Sequence, residues 1–323
     1  MIKKLTKTSF ISLTVLMVVG CVEPQVTLPN KSEIQKVNTD YSNSLEYLDS
    51  MINVFNNGEP MVVVVTPIED KTASQGKVPQ DITDIVKTSF NKIGDNVVTL
   101  FNYDIDTEKR KVYLINGAIT EFDVVQNQSN SKMASAEFGA ENYRTNSDGS
   151  LESGNKVTKL ALNFNPADPD TGTYIARTST SNKITIYQKQ SANEFAFSIL
   201  GSGFGFSNAL TKTQGLHSSI TVLAELSVAE VLGKLGKFPY WLVTHGKADK
   251  DVLMHLSRSF LRETVTSKIR KISYLLTLAG YPVRVSSVMT PALKDAIVKY
   301  KISKNINPND FITKELYLSL LSD

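Results

Sequence analysis

The chain has 323 residues, 41% of them hydrophobic and 21% charged; that length suits two domains or one large one, and the composition excludes a disordered chain. Its net charge of +3 sits in residues 1–20, where Lys3, Lys4 and Lys7 stand without an acid, so the remaining 32 basic residues balance 32 acidic ones. That balance speaks against nucleic acid as a partner, which needs a basic footprint. The single cysteine, Cys21, excludes an intramolecular disulfide and a cysteine metal cluster, and three histidines leave few histidine-centred sites.

Residues 1–20 read as a signal peptide, with basic residues first, an apolar stretch from Phe10 to Val19, then Gly20. The apolar stretch is too short for a stable transmembrane helix. Val18-Val19-Gly20-Cys21 resembles the bacterial lipobox, which makes Cys21 the lipidation site; an ordinary secretory signal followed by a chance cysteine is the alternative. Several acyl chains on Cys21 would anchor the chain stably. In lipoproteins with this motif, Val22 in place of an aspartate favours the bacterial outer membrane, with the chain facing the periplasm.

Residues 21–58 are polar and read as a lipidated tether with a helix over Tyr41–Phe55, where Leu45, Leu48, Ile52 and Phe55 recur at helical spacing. Met61–Val65, bounded by Pro60 and Pro67, reads as a buried strand. Pro79 opens an amphipathic helix that Gly94 ends, and Val97–Phe101 and Val112–Ile119 read as further strands.

From about residue 120 to 206 the spacing changes to two-residue alternation. Ala134, Ala136, Phe138 and Ala140 share one side of a strand, and Leu160, Leu162 and Phe164 share another's. Ile184 and Ile186 follow, then Phe195 and Phe197. These make four strands in two long hairpins, about 124–165 and 173–206. Transmembrane barrel strands alternate this way, and these residues are the lipid-facing candidates. A soluble half-buried sheet alternates identically and is the commoner source of the pattern. Helices follow over 219–236, 251–279, 291–300 and 312–321, with Pro239-Tyr240-Trp241 as a break.

Catalytic constellations are missing. His245 and His255 are ten apart, without the spacing of a helical zinc pair, and His217 lies after Gly215-Leu216 in a turn. Gly201–Gly205 lacks the lysine of a phosphate loop, and Asp168 and Asp170 fail the calcium-loop register. The expectation is a non-enzyme with no cofactor and no metal.

Residues 61–241 resemble the curli-secretion-channel (CsgG) family of outer-membrane lipoproteins. The resemblance runs in order through the lipobox, Ile68-Glu69-Asp70-Lys71-Thr72, Val78-Pro79-Gln80, Leu114–Phe122 with its central glycine, and Gly172. It implies an α+β fold: a periplasmic α/β domain (59–245) lending two long β-hairpins to an oligomeric transmembrane β-barrel, with a ring of identical subunits. A closed multi-chain barrel leaves no open strand edge in lipid. The resemblance also makes Ala73, Ser74, Gln75, Gly76 and Lys77 the pore-loop candidates, in a loop shorter than the family's and without its aromatic residue.

Residues 250–323 resemble the small three-helix peptidoglycan-binding domain of cell-wall enzymes, through Ile269–Tyr281, Thr290–Ala296 and Ile312–Tyr317. Docking candidates for peptidoglycan or a partner are Tyr281, Arg284, Tyr300 and Lys301, although the family's glycines and its Phe-Gln pair are absent. Residues 246–323 hold 13 Lys/Arg and 7 Asp/Glu, net +6, which leaves residues 21–245 at −6. The expected function is a secretion channel or the outer-membrane ring of a larger envelope machine. Its partners would be copies of itself, outer-membrane lipid, peptidoglycan, other machine subunits or a secreted substrate. The alternative is a monomeric scaffold lipoprotein linking membrane to wall without a pore.

Overall fold

A computed structural model describes residues 40–102, 110–126, 155–189, 194–201, 211–213 and 215–322. These form a mixed α+β fold around one open sheet. In chain order the first elements are α1 (Asp40–Phe55), β1 (Met61–Val65), β2 (Glu69–Asp70), α2 (Thr83–Asn91), β3 (Val97–Leu100) and β4 (Val112–Gln126). Then come β5 (Asn155–Asp168), β6 (Thr173–Tyr174), β7 (Thr180–Lys189), β8 (Glu194–Gly201) and β9 (Thr211–Thr213). Helices α3 (Leu216–Gly236), α4 (Trp241–Thr244), α5 (Lys250–Ser259), α6 (Val265–Leu278), α7 (Pro291–Ser303) and α8 (Lys314–Leu321) follow, with a 3-10 turn at Phe260–Arg262.

The strand order is β3-β1-β4-β5-β7-β8-β9, with β2 on β4 and β6 on β5. β1 pairs in parallel with β3 and β4, β2 also pairs in parallel with β4, and the pairs from β4–β5 onward are antiparallel. A β1-α2-β3 crossover explains the parallel end, and direct hairpins the rest. All five residues of β1 are buried, as befits a strand with apolar neighbours on both faces. Val63 and Val65 join the main core, while Val62 and Val64 join a second cluster with Val112 on the opposite face. The α2 helix begins at Thr83 rather than Pro79. Ile82 N–H donates to Ile68 O (3.0 Å), Gln80 O accepts from Asp70 N–H (2.9 Å) and Asp81 forms a backbone β-bridge with Glu69, so residues 80–82 belong to the strand-edge network.

The α3 helix is apolar around nearly its whole circumference, and a helix of that kind must be buried. It packs on β5 and β7 on one side and on α1 and α2 on the other. Ile220, Leu223, Val231 and Leu232 are 0% exposed. The α1 helix is therefore part of the core, with Leu48, Met51 and Ile52 fully buried, and is not a free tether. Residues 250–322 share that same core: Trp241 Nε1 donates to Leu321 O (2.8 Å), and Phe260 stacks on Tyr317 with centroids 4.1 Å apart. The expected boundary near 245–250 is thus no break in packing. The helix expected over 251–279 is interrupted at Glu263-Thr264, where the Thr264 side chain accepts from Ser267 N–H and caps α6.

Candidate functional site

β4 and β5 form the longest ladder in the sheet, from Leu114↔Ala167 to Gln126↔Lys156, with a register shift between Ile119 and Glu121. A shift of this kind bends the strand pair. On the face away from α3, Lys183 of β7 donates to Glu121 of β4 across Ala161, which leaves that alanine 2% exposed. On the helix-covered face Leu160, Leu162 and Phe164 are at most 1% exposed. That cover fades past Thr158, and Lys156 is only half-buried. Residues 127–154 leave β4 and return to β5 from adjacent ladder positions. The second hairpin differs. β7 and β8 pair up to Lys189↔Glu194, with only residues 190–193 between them, at the level of Asn155.

Beside β4 sits the short loop over residues 71–78. Asp70 pairs with Ile119 through the β2–β4 contact, and Lys71 N–H donates to Ile119 O (3.0 Å). The Asp70 carboxylate then accepts from Thr72 N–H (2.8 Å), Thr72 Oγ1 (2.6 Å) and Ser74 Oγ (2.5 Å). Partial burial raises the Asp70 carboxyl, but these donors outweigh it and hold it below the ordinary value. Ser74 is buried by that contact, whereas Ala73, Gln75, Gly76 and Lys77 are exposed. Gln75 and Gly76 both have positive φ (53° and 78°), the turn that brings Lys77 N–H back to Ser74 O.

A buried polar network pins the second hairpin to α3. Asn182 Nδ2 of β7 donates to Ser227 Oγ (3.0 Å) and Glu230 Oε2 (2.8 Å). Lys234, one turn on, bridges to Glu230 at 2.7 Å and donates to Ser179 O at 3.1 Å. Glu230 is fully buried and Lys234 is 9% exposed, so the pair offsets the cost of burying both charges, with Asp249 a second, more distant partner of Lys234 at 3.9 Å. Tyr240 lies beside this network. Burial, then the nearby Glu230 and Asp249, push its hydroxyl well above the usual range. Glu230 and Lys234, four apart in a largely apolar 21-residue helix, were the sequence signal for this network.

The expected lipid-facing residues divide. Leu160, Leu162, Phe164, Ile184, Ile186 and Phe197 are at most 2% exposed and lie in the main core, so they face protein rather than lipid. Ala134, Ala136, Phe138 and Ala140 lie outside the described residues, as do Cys21 and the Phe195 side chain. The docking candidates divide too. Tyr300 and Lys301 are each 1% exposed, and Lys301 Nζ donates to Asn309 Oδ1 (2.6 Å) and Phe311 O (2.7 Å), so these two side chains hold a loop and are not at the surface. Arg284 is exposed, and half-buried Tyr281 packs edge-on against Tyr300.

His217, His245 and His255 are all exposed, and among the described residues no three His, Cys, Asp or Glu side chains group as a metal site. A cleft of about 250 Å³ lies at Trp241, Leu242, His245 and Leu321. No protein-family model matches the chain, and no curated protein matches it. Among solved structures it is similar to a neuraminyllactose-binding hemagglutinin homolog from Helicobacter pylori, at 14% identity over 62% of this chain and 94% of that one. The TM-score of that likeness is 0.24, too low to carry an argument about fold or function.

Proposed function

We propose that the chain is an outer-membrane lipoprotein that assembles into a homo-oligomeric ring. Each copy gives the hairpin of residues 127–154 to a shared barrel and keeps its α+β body in the periplasm. The observation behind this reading is the β4–β5 ladder, still paired at Gln126↔Lys156, where the helical cover has faded. Twenty-eight residues continue from that stem, enough for two strands of about 11 residues and a turn, the length that crosses an outer membrane. The four-residue connection of the β7–β8 hairpin keeps that pair with the body, so the reading assigns one spanning hairpin per copy. The ring would act as a conduit or as the membrane ring of a larger envelope assembly, without a catalytic step of its own.

The test is the mass of the detergent-extracted, lipidated protein together with particle images of the same sample. Rings with a detergent belt, lost when residues 130–151 are replaced by a short turn, are the expected result. Monomers with no belt would leave a lipid-anchored scaffold instead.

A further inference from the structure

Exposed apolar side chains are concentrated in the part of the chain with excess positive charge. Seven of the ten large hydrophobics that stand exposed among the described residues fall between Met254 and Phe311. Two of them, Leu261 and Val265, are 63% and 72% exposed at the corner joining the 3-10 turn to α6. Cations frame this pair. Arg258 and Arg262 are exposed, and Lys268 Nζ reaches Leu261 O (3.5 Å) over the Phe260 ring. The one acid at the corner, Glu263, is turned inward, held by Lys271 (2.8 Å) and Ser267 (2.9 Å). The corner is thus an aliphatic knob in a cationic frame.

Its electrostatic complement is on the same chain. Residues 21–245 carry −6 against +6 on residues 246–323. At one sheet edge, the flank formed by α2 and β3 carries exposed Asp81, Asp84 and Asp95, with Glu59 close by in sequence; its cations are half-buried Lys87 and exposed Lys92, the latter tied to buried Glu225 at 2.7 Å. Phe101, just past β3, is 92% exposed. We propose that the corner of one copy docks on the α2–β3 flank of the next copy. This inference rests on the ring reading and supplies its subunit contact. A head-to-tail contact between two different surfaces of one chain is what a closed ring repeats. An apolar centre inside complementary charge fits such an interface. Two aliphatic side chains fall short of the roughly 800 Å² per partner that a stable interface needs, so the corner is its anchor and not its whole extent. The knob has no exposed aromatic ring on which a wall sugar could stack, which favours a protein surface.

The experiment uses the full lipidated protein with a photoreactive phenylalanine in place of Val265. Irradiation should give a dimer whose crosslinked peptide comes from residues 59–101 of a second copy. Joint replacement Arg258→Glu and Arg262→Glu should weaken the crosslink about tenfold with the thermal midpoint unchanged, because both side chains are exposed. Asp84→Lys with Asp95→Lys should restore part of it. A crosslink to another protein, to wall fragments, to lipid, or to a different part of the second copy would overturn the inference. So would rings that persist unchanged in the double arginine variant. Images distinguish the two failures: rings without the Val265 crosslink sink this contact alone, whereas no rings in the parent protein sink the ring reading with it.

Discussion

Two hairpins leave the same sheet, and they differ in what lies beyond the helix that covers them. In both, the alternating apolar row turns inward beneath α3: Leu160, Leu162 and Phe164 in one, Ile184, Ile186 and Phe197 in the other. The β7–β8 hairpin closes through residues 190–193 and is tied to α3 by Asn182. The β4–β5 pair is instead joined by the 28 residues 127–154. Alternation therefore does not separate a lipid-facing strand from a core-facing one. The proposed spanning hairpin rests instead on the length of chain beyond the helical cover.

A large expected effect tests the tie. Glu230→Ala removes the nearer carboxylate of buried Lys234, leaving Asp249 at 3.9 Å, and should cost about 3 kcal/mol, read from the urea midpoint. Amide exchange should rise in β7 and β8 before β4 and β5. Equal loosening of both hairpins would mean that the network holds the whole fold and not one hairpin. A pair of phenylalanines sharpens the contrast. Phe164→Ala should cost about 3–5 kcal/mol as a core cavity. Phe138→Ala, in the long connection, should leave the unfolding midpoint of the body unchanged and lower the yield of extracted rings. A stability loss at Phe138 matching that at Phe164 would place both in one core and remove the proposed spanning hairpin.

Gly117 tests the stem itself. A Cβ there would lie 2.5 Å from Asn163 O and 2.6 Å from the Phe164 ring. Gly117→Ala should therefore force β4 and β5 apart at about 1–3 kcal/mol, and an unchanged thermal midpoint would show a stem looser than its ladder. The smallest effect belongs to the loop beside that stem. The Asp70 carboxyl is held below its ordinary value, so its contribution is complete above about pH 3.8 and is lost as pH falls through its lower folded value. Amide exchange at Thr72 should rise only in that acid window, and a rise near neutral pH would contradict the assignment to Asp70.

Much of the fold was legible because local rules sufficed. The Met61–Val65 strand, the α1 stripe ending at Phe55 and the Pro291 start of α7 behind its Thr290 cap all follow from short-range sequence. Thr313 likewise caps α8, accepting from Leu316 N–H at 3.2 Å. What local spacing could not supply was partnership across the chain. Nothing near Leu160 or Ile184 says that α3, dozens of residues later, will cover them. Nothing near Tyr300 or Lys301 reveals that the loop at Asn309–Phe311 folds over the lysine. The Glu263-Thr264 break was within reach, since a threonine can cap a helix by accepting from the backbone N–H three residues on.

The bond from Trp241 to Leu321 gives the molecule a built-in optical gauge. Trp241 is the sole tryptophan and is 3% exposed, so its emission should be blue-shifted and respond to one event above all, the seating of α8. Chains shortened before Lys314 should emit to the red while the far-ultraviolet signal of the sheet persists. Folding of the last helix could then be followed in a cuvette, without a label, as a process separable from that of the strands.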